Sequence, residues 1–208
     1  EDVYNYIFAR GFICPECEGL IPIIHHTRLR ENGPYIKFNF DKKEKSFEVE
    51  IVDYETEFEK LRCPYCSRPF TTEEIFRQWI VKHKQLLKHA IDGNIKEVEA
   101  SVKELLKVHI PLIKQHMRGF TPCDEKDKRV FVEAFLDLVQ QIKDLKLCIP
   151  DSLIPKENEV FEPVRDGIEY WYQLFNPRQL LVLAQLIKYV SDRASELIEK
   201  KGEFGAAV

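Results

Sequence analysis

Glycine and methionine are scarce in this chain, and each scarcity removes a class of protein. There are 8 Gly and 1 Met among the 208 residues. So few glycines exclude collagen-like and Gly-rich repeats, and they leave little material for a Gly-rich phosphate-binding turn. A single methionine argues against an adaptable, Met-rich binding surface.

The short motifs of common enzyme chemistries are missing as well. The sequence contains no Gly-rich phosphate loop, no Gly-x-Ser-x-Gly nucleophile turn and no His-Glu-x-x-His metal motif. We therefore assign no catalytic residue, and we expect that this chain alone is not an enzyme.

Long apolar runs are also lacking. The longest are a few residues, far below the roughly 18 that a membrane-spanning helix requires, and no basic segment followed by an apolar one opens the chain. We expect a cytoplasmic protein without a membrane partner. The first residue is Glu1 and not Met, so we also expect a piece of a longer protein.

What the chain does contain is enough apolar material for a packed core. Hydrophobic residues make up 44% and charged residues 32%, a balance that argues against wholesale disorder. The length allows one large domain or two small ones.

Four of the six cysteines form two matching motifs. Cys14-Pro15-Glu16-Cys17 and Cys63-Pro64-Tyr65-Cys66 both read Cys-Pro-x-Cys, and 45 residues separate them. Two residues between thiolates allow both sulfurs to approach one ion, and two such turns complete a tetrahedral four-sulfur shell that suits zinc. With four protein ligands no position remains for a substrate, so the sequence predicts a structural zinc site.

Other roles for these cysteines are weaker. A redox dithiol would be expected in a βαβ context, which is not apparent here, and structural disulfides would need an oxidising compartment. Cys123 and Cys148 have no partner at ligand spacing, and we expect buried small hydrophobic residues, with a disulfide or a reactive thiol as the alternatives. His25 and His26 are expected to point to opposite faces of a strand.

The segment between the two motifs has the pattern of strands. Residues 20–29 are rich in Ile. Residues 35–40, over their last five positions, and residues 46–52 alternate apolar and polar side chains. We expect a small antiparallel sheet clamped by the metal, which is a zinc ribbon, followed by a mainly α-helical region. The predicted fold class is α+β.

Beyond residue 70 the apolar period becomes helical. Thr71 to Glu74 form a capping box that opens a helix, and a second helix begins near Ile95 and should kink or end at Pro111. A third helix is expected at 125–147, then an extended connection at 148–168. Asn176-Pro177-Arg178-Gln179 opens a last helix that ends at Gly202. The predicted divisions are 1–70, 71–118, 119–168 and 169–208.

Positive charge is concentrated in one segment of an acidic chain. The net charge is −4, and residues 1–62 carry 9 Lys/Arg against 13 Asp/Glu, but residues 75–118 carry 9 against 4. Helical spacing places these cations in rows that could follow phosphates, and a solvated helix face is the alternative. A further cation, Arg178, lies in a first helical turn, where the macrodipole disfavours it unless a phosphate or carboxylate is near. The candidate nucleic-acid contacts are Arg77, Lys84, Lys88, Lys96, Lys103, Lys107 and Arg178.

The order of these segments resembles the adenine-specific DNA methylases that carry an embedded zinc ribbon. The matching motifs are the two Cys-Pro-x-Cys turns, Ile149-Pro150-Asp151-Ser152-Leu153-Ile154-Pro155, and the segment from Arg165 to Leu181. The last of these contains Trp171 and then Leu174-Phe175-Asn176-Pro177-Arg178-Gln179-Leu180-Leu181, where Asn stands in place of the family's usual Thr or Ser.

This resemblance implies a parent enzyme that transfers a methyl group from S-adenosylmethionine to adenine N6 in DNA. In that family the cofactor site and the catalytic motif lie outside this stretch, so the chain would be an internal segment that grips double-stranded DNA and contacts the methylase domain of its own parent. The alternative is a zinc-stabilised protein-interaction scaffold without DNA contact, with an exposed apolar patch expected around Tyr170, Trp171, Tyr172 and Phe175.

Overall fold

Six strands and four α-helices form the described part of the chain. A computed structural model describes residues 2–93, 95–145, 148–155 and 167–205, and the side chains of residues 95, 96 and 200–205 lie outside that description. In chain order the elements are β1 Val3–Ile13, β2 Leu20–Ile23, β3 Tyr35–Asp41, β4 Ser46–Val52, α1 Thr72–Asp92, α2 Ile95–Val108, β5 His109–His116, β6 Gly119–Pro122, α3 Glu125–Leu145, a 3₁₀ turn Trp171–Leu174 and α4 Pro177–Gly205. The predicted α+β class is confirmed.

The strands form two antiparallel sheets. One has the order β2-β1-β5-β6, and the other pairs β3 with β4. The β3–β4 hairpin agrees with the alternating pattern of its sequence, and Phe38, Phe47, Val49 and Ile51 pack on the same core cluster as Ala9 and Ile113. The predicted strand over residues 20–29 is too long, because β2 ends at Ile23.

The central pair of the larger sheet, β1 and β5, was not expected from the sequence. The second helix does not kink at Pro111. It ends at Val108, and β5 begins at the next residue. Pro111 pairs with Phe8, and the β1–β5 register shifts between Phe8 and Ile7. Pro111 therefore lies beside a β-bulge, where it fits in the strand. A bulge is one of the few places where a strand tolerates a residue without an N–H.

Close packing against β1 also depends on one glycine. A Cβ at Gly11 would lie 1.6 Å from the carbonyl oxygen of Lys107, so the end of α2 meets the β1 backbone at a distance that only glycine allows. Trp79 reinforces this junction, since its indole N–H donates to the Val108 carbonyl oxygen at 3.0 Å.

The helix boundaries follow local capping chemistry. At the start of α1, the Glu74 N–H donates to Thr71 Oγ1 and the Thr71 N–H donates to the Glu74 carboxylate, which is the predicted capping box. α3 agrees with its predicted start at Glu125. α4 continues to Gly205, so the predicted end at Gly202 is wrong.

The chain divides into two compact units. One comprises residues 1–86 and 99–132, and the other comprises residues 87–98 and 133–208. The first contains both sheets and all four cysteines of the paired motifs. The second has an apolar core from α3 and α4, with Phe135, Leu138, Leu180 and Ala184 completely buried. The sequence-based divisions at residues 70, 118 and 168 remain a prediction.

The helices of the described residues are amphipathic or too polar for a bilayer. None of them is long and apolar enough to cross a membrane.

Candidate metal centre

The four cysteines of the two motifs meet at one point in the first unit. Their sulfur atoms all lie within 4.8 Å of one another. Cys14 and Cys66 are 3.7 Å apart, and Cys17 and Cys63 are 3.6 Å apart, sulfur to sulfur. A tetrahedron with metal–sulfur bonds of about 2.3 Å has edges of about 3.8 Å, so the observed spacing fits a four-thiolate metal site.

Each motif is a hairpin turn of the same construction. The first connects β1 to β2, where Ile13 pairs with Leu20, and the second lies between the bridged residues Arg62 and Pro69. In both turns a backbone N–H four residues on donates to the first cysteine's carbonyl, at 2.8 Å from Glu18 and 2.9 Å from Ser67.

The backbone of the two turns is left-handed at the same relative position. Glu18 has φ 62° and Ser67 has φ 65°, although neither is glycine. The following residue, Gly19, is required for space, because a Cβ there would lie 2.3 Å from the ring of Tyr65. Tyr65 is held in place by its hydroxyl, which donates to the Leu20 carbonyl at 2.8 Å. One motif therefore packs directly on the other.

Neighbouring elements anchor the first turn. The side-chain amide of Gln78, on α1, accepts from the Ile13 N–H at 2.7 Å and donates to the Ile13 carbonyl at 2.9 Å. The Lys45 ammonium donates to the Cys17 carbonyl at 2.7 Å. Helix, hairpin and turn are thus connected around the sulfur cluster.

The sulfur cluster lies at the edge of an apolar core. Cys14 and Cys63 are buried with Phe12, Ile21 and Phe70, whereas Cys66 is exposed. The metal would therefore cross-link two short turns at the edge of this core. Two strands alone are only marginally stable in water, and a bound ion supplies the missing energy.

Ionisation of the thiols is uneven without a cation. Burial opposes ionisation of Cys14, but the N–H groups of Cys17 and Glu16 outweigh it and lower its pKa to about 7. Burial raises the pKa of Cys63 to about 12, and the thiols of Cys66 and Cys17 act in the same direction. Burial also raises the pKa of Cys17. Four thiolates can coexist here only when a dication compensates their charge, which is the chemistry of a structural metal site.

The other two cysteines stand apart from this site. All six are free thiols, so the disulfide between Cys123 and Cys148 considered from the sequence is not formed. Burial raises the pKa of Cys123 to about 12, which makes it a poor nucleophile. Cys148 is half-buried, in the other unit.

His25 and His26 do not alternate across a strand. Both lie beyond the end of β2, and both side chains are exposed. The prediction of one inward and one outward histidine is wrong because the strand stops at Ile23.

Two of the predicted nucleic-acid contacts form ion pairs. The Arg77 guanidinium lies 2.5 Å from the Glu73 carboxylate, and the Lys107 ammonium lies 2.8 Å from that of Glu104. Glu104 also pairs with Lys82 at 3.0 Å, which connects α1 and α2. Carboxylates therefore neutralise part of the row that the cation spacing predicted.

The remaining candidates differ in their surroundings. Lys88 and Lys103 are exposed, and neither forms an ion pair with any residue in the described ranges. Lys84 and Arg178 are half-buried and have interactions of their own. The side chain of Lys96 lies outside the described residues. The first unit holds Arg77, Lys84, Lys103 and Lys107, whereas Lys88 and Arg178 belong to the second.

A buried histidine pair is the feature that sequence reasoning missed. His83 Nδ1 and His109 Nε2 are 3.0 Å apart, and the Trp79 ring stacks on His83 at 4.7 Å between centroids. Burial lowers the pKa of His109 well below its ordinary value, and His83 and the Arg10 guanidinium add to this effect. The spacing of Trp79 and His83 was a usable signal, but the partner histidine comes from β5, which was expected to be helical.

Comparison with protein-family models, with curated proteins and with solved structures gives no match to this chain. The proposals below therefore depend on the geometry and on the motifs of the sequence.

Proposed function

We propose that this chain is the zinc-stabilised, non-catalytic segment of an S-adenosylmethionine-dependent adenine-specific DNA methyltransferase, and that it contributes to DNA binding. The observation that carries the structural part is the cluster of four sulfurs at tetrahedral spacing, built from two turns of identical design. Zinc is the metal that four thiolates select most readily among structural sites.

The local structure accounts for the residue types in the segment that carries the family resemblance. A 3₁₀ turn at Trp171–Leu174 precedes α4, and Asn176 caps that helix. The Gln179 N–H donates to the Asn176 side chain, and the Asn176 N–H donates to the Gln179 side chain, both at 3.0 Å. Asn therefore performs the capping that Thr or Ser would perform at this position, which supports the proposed membership.

We propose DNA contact for the cations that form no ion pair with a described carboxylate. Lys103 on α2 and Lys88 on α1 are exposed without an ion pair among the described residues, unlike Arg77 and Lys107. A lysine that binds phosphate releases a counterion, so its contribution appears as a dependence of affinity on salt.

The test is duplex DNA binding by the zinc-loaded chain, measured by fluorescence anisotropy across a salt series. We expect Lys103→Ala and Lys88→Ala each to weaken binding and to lower the slope of log affinity against log salt by about one. Lys42→Ala, in the exposed turn between β3 and β4, is the matched control and should change neither. Absence of binding at low salt would refute the DNA role.

A second function is supported by the exposed face of α4. Val182, Leu186, Tyr189, Val190 and Leu197 are each more than half exposed, at 57–63%. At 100° per residue they fall within an arc of about 100°, which is the width of a typical docking stripe. An exposed apolar stripe of this kind, interrupted by Arg193, is typical of a protein contact, and we propose the methylase domain of the parent chain as its partner.

This stripe replaces the patch that the scaffold hypothesis expected near residue 170. Tyr170, Trp171, Tyr172 and Phe175 are half-buried, and the rings of Tyr170 and Tyr172 stack at 5.6 Å. The residues that meet solvent are one helix further along the chain.

The scaffold function is tested by binding of the separately expressed remainder of the parent protein. Leu186→Glu with Val190→Glu should abolish that binding and leave DNA affinity unchanged. Val81→Glu, at a single exposed apolar residue of α1, is the control. A scaffold role is refuted when the α4 double variant binds the remainder as well as the unaltered chain does.

A further inference from the structure

The first unit contains a cavity whose ionisable lining residues are all basic, and this cavity has no role in the proposed function. Its volume is about 530 Å³, which is within the range of small-molecule sites, and it opens to solvent. Five parts of the chain converge on it: β1, the end of β2 with the residues that follow it, β3 at Ile36, the loop before the second cysteine motif and the start of α1. All the residues that line it belong to residues 1–86.

The interior of the cavity is mainly aliphatic. Ile7, Ile24, Leu29 and Ile75 contribute to its wall, together with the ring of Phe8. An apolar wall of this extent stabilises the hydrocarbon part of a ligand by removing it from water.

Every ionisable residue of the lining is basic. The set consists of Arg10, His25, His26, Arg28 and Lys60, and no carboxylate among the described residues lines the cavity. Residues 1–62 carry 13 Asp/Glu against 9 Lys/Arg, yet none of the described carboxylates in this stretch lines the cavity. Such segregation favours an anion in the opening and disfavours a cation.

Two of these cations have identified contacts. The Arg10 guanidinium lies over the rings of Phe76 and Trp79, at 5.0 Å and 4.8 Å from their centroids. The Lys60 ammonium donates to the carbonyl oxygen of His25. Arg28 is exposed, and no described residue forms an ion pair with it.

We propose that this cavity binds an aliphatic anion, with the hydrocarbon chain in the Ile/Leu interior and a carboxylate or phosphate head between Arg28 and Lys60. A nucleobase fits less well, because reading its edge requires several neutral donors and acceptors, and Thr72 is the one neutral hydroxyl or amide side chain of the described lining. This inference is independent of the DNA role, since its residues differ from those proposed to contact DNA.

The test is isothermal titration calorimetry of the zinc-loaded chain with three ligands of the same tail: decanoate, decyl phosphate and decyltrimethylammonium, each below its micellar concentration. We expect saturable binding of one or both anions and none of the cation. The two anions distinguish a carboxylate head from a phosphate head.

Variants locate the binding. Arg28→Gln with Lys60→Gln should weaken anion binding about tenfold or more, because charge-assisted hydrogen bonds are lost. Ile24→Trp keeps every charge and should block binding by filling the cavity. Lys42→Gln removes a single charge from a turn that does not line the cavity and should have no effect. Zinc content and thermal unfolding verify that each variant is folded.

Three results would overturn the proposal. They are the absence of saturable binding by either anion, equal binding of the cation, and an equal loss in Lys42→Gln and in the double variant. Displacement of decanoate by duplex DNA at low salt would also overturn it, since the opening would then be a phosphate-backbone site.

Discussion

Zinc binding by this chain should depend steeply on pH. A thiol must lose its proton before it can ligate the metal, so each thiol that is protonated in the free site releases one proton on binding. Burial holds the pKa of Cys63 at about 12 and raises that of Cys17, so both are protonated between pH 7 and 8. Cys14, with its pKa lowered to about 7, contributes a fractional proton at the lower end.

The magnitude follows from the number of protons. Release of at least two protons makes the apparent zinc affinity rise at least about 100-fold per pH unit, or about 2.7 kcal/mol. A structural zinc site contributes an apparent 10–16 kcal/mol, comparable to the whole net stability of a domain of about 5–15 kcal/mol. Metal removal should therefore unfold the two cysteine turns and the small core of Phe12, Ile21 and Phe70 around them.

The assay is competition for zinc with a chromophoric chelator at pH 7.0 and pH 8.0. Cys123→Ser and Cys148→Ser are the matched controls, since both cysteines lie outside the sulfur cluster, and they should leave stoichiometry and slope unchanged. Cys63→Ser should lose tight binding. An increase of tenfold or less per pH unit would refute the argument, because it would mean that no more than one proton is released.

Three further predictions concern stability, each measured by urea unfolding of the zinc-loaded chain. Gly19→Ala should cost about 1–3 kcal/mol, because the new Cβ lies 2.3 Å from the fixed ring of Tyr65, and a loss below about 0.5 kcal/mol would contradict this. Burial lowers the pKa of His109, so on acidification this histidine is protonated in the unfolded chain before it is protonated in the folded one. The stability that the neutral His109 contributes should be complete above about pH 6.5. Below that pH the free energy of unfolding should fall by up to about 1.4 kcal/mol per pH unit. His109→Gln should remove this part of the slope between pH 7 and 6 and leave the part that proton release on zinc binding contributes. Lys114→Met should cost about 3–5 kcal/mol of unfolding free energy, because the Asp127 carboxylate, with 8% of its side chain exposed, loses the ammonium 2.8 Å away. An equal loss in the double variant Lys114→Met/Asp127→Asn would argue against an unpaired buried charge as the cause.

The parts of the fold that local chemistry determines were predictable from the sequence. The two Cys-Pro-x-Cys turns, the capping boxes at Thr71 and Asn176, and the alternation over β3 and β4 each need only a few neighbouring residues. The four-sulfur cluster was predictable for the same reason, since its two halves are short motifs whose chemistry specifies a common ion.

The larger sheet was not predictable because its central pair is non-local. β1 and β5 are about a hundred residues apart, and the sequence of β5 looks like a continuation of α2 until Pro111 is explained by the bulge that follows it at Leu112. Tertiary pairing overrides the local helical pattern there. The His83–His109 pair and the basic cavity depend on that sheet, so they were hidden for the same reason.

The rows of cations on α1 and α2 and the lining of the cavity are both basic surfaces. The positions of nearby carboxylates distinguish them better than the positions of the cations do. Spacing alone placed Arg77 and Lys107 in rows suited to phosphate, yet each has a glutamate three or four residues away on its own helix. Pairs of this kind stabilise an isolated helix by a few tenths of a kcal/mol and leave little field for a distant polyanion. Around the cavity the reverse holds, since the basic residues of the lining come from separate segments and no described carboxylate is part of the lining. Arg28, which forms no ion pair with a described residue, carries an electrostatic cost that a bound anion would remove, whereas Arg77 and Lys107 are already compensated by glutamates.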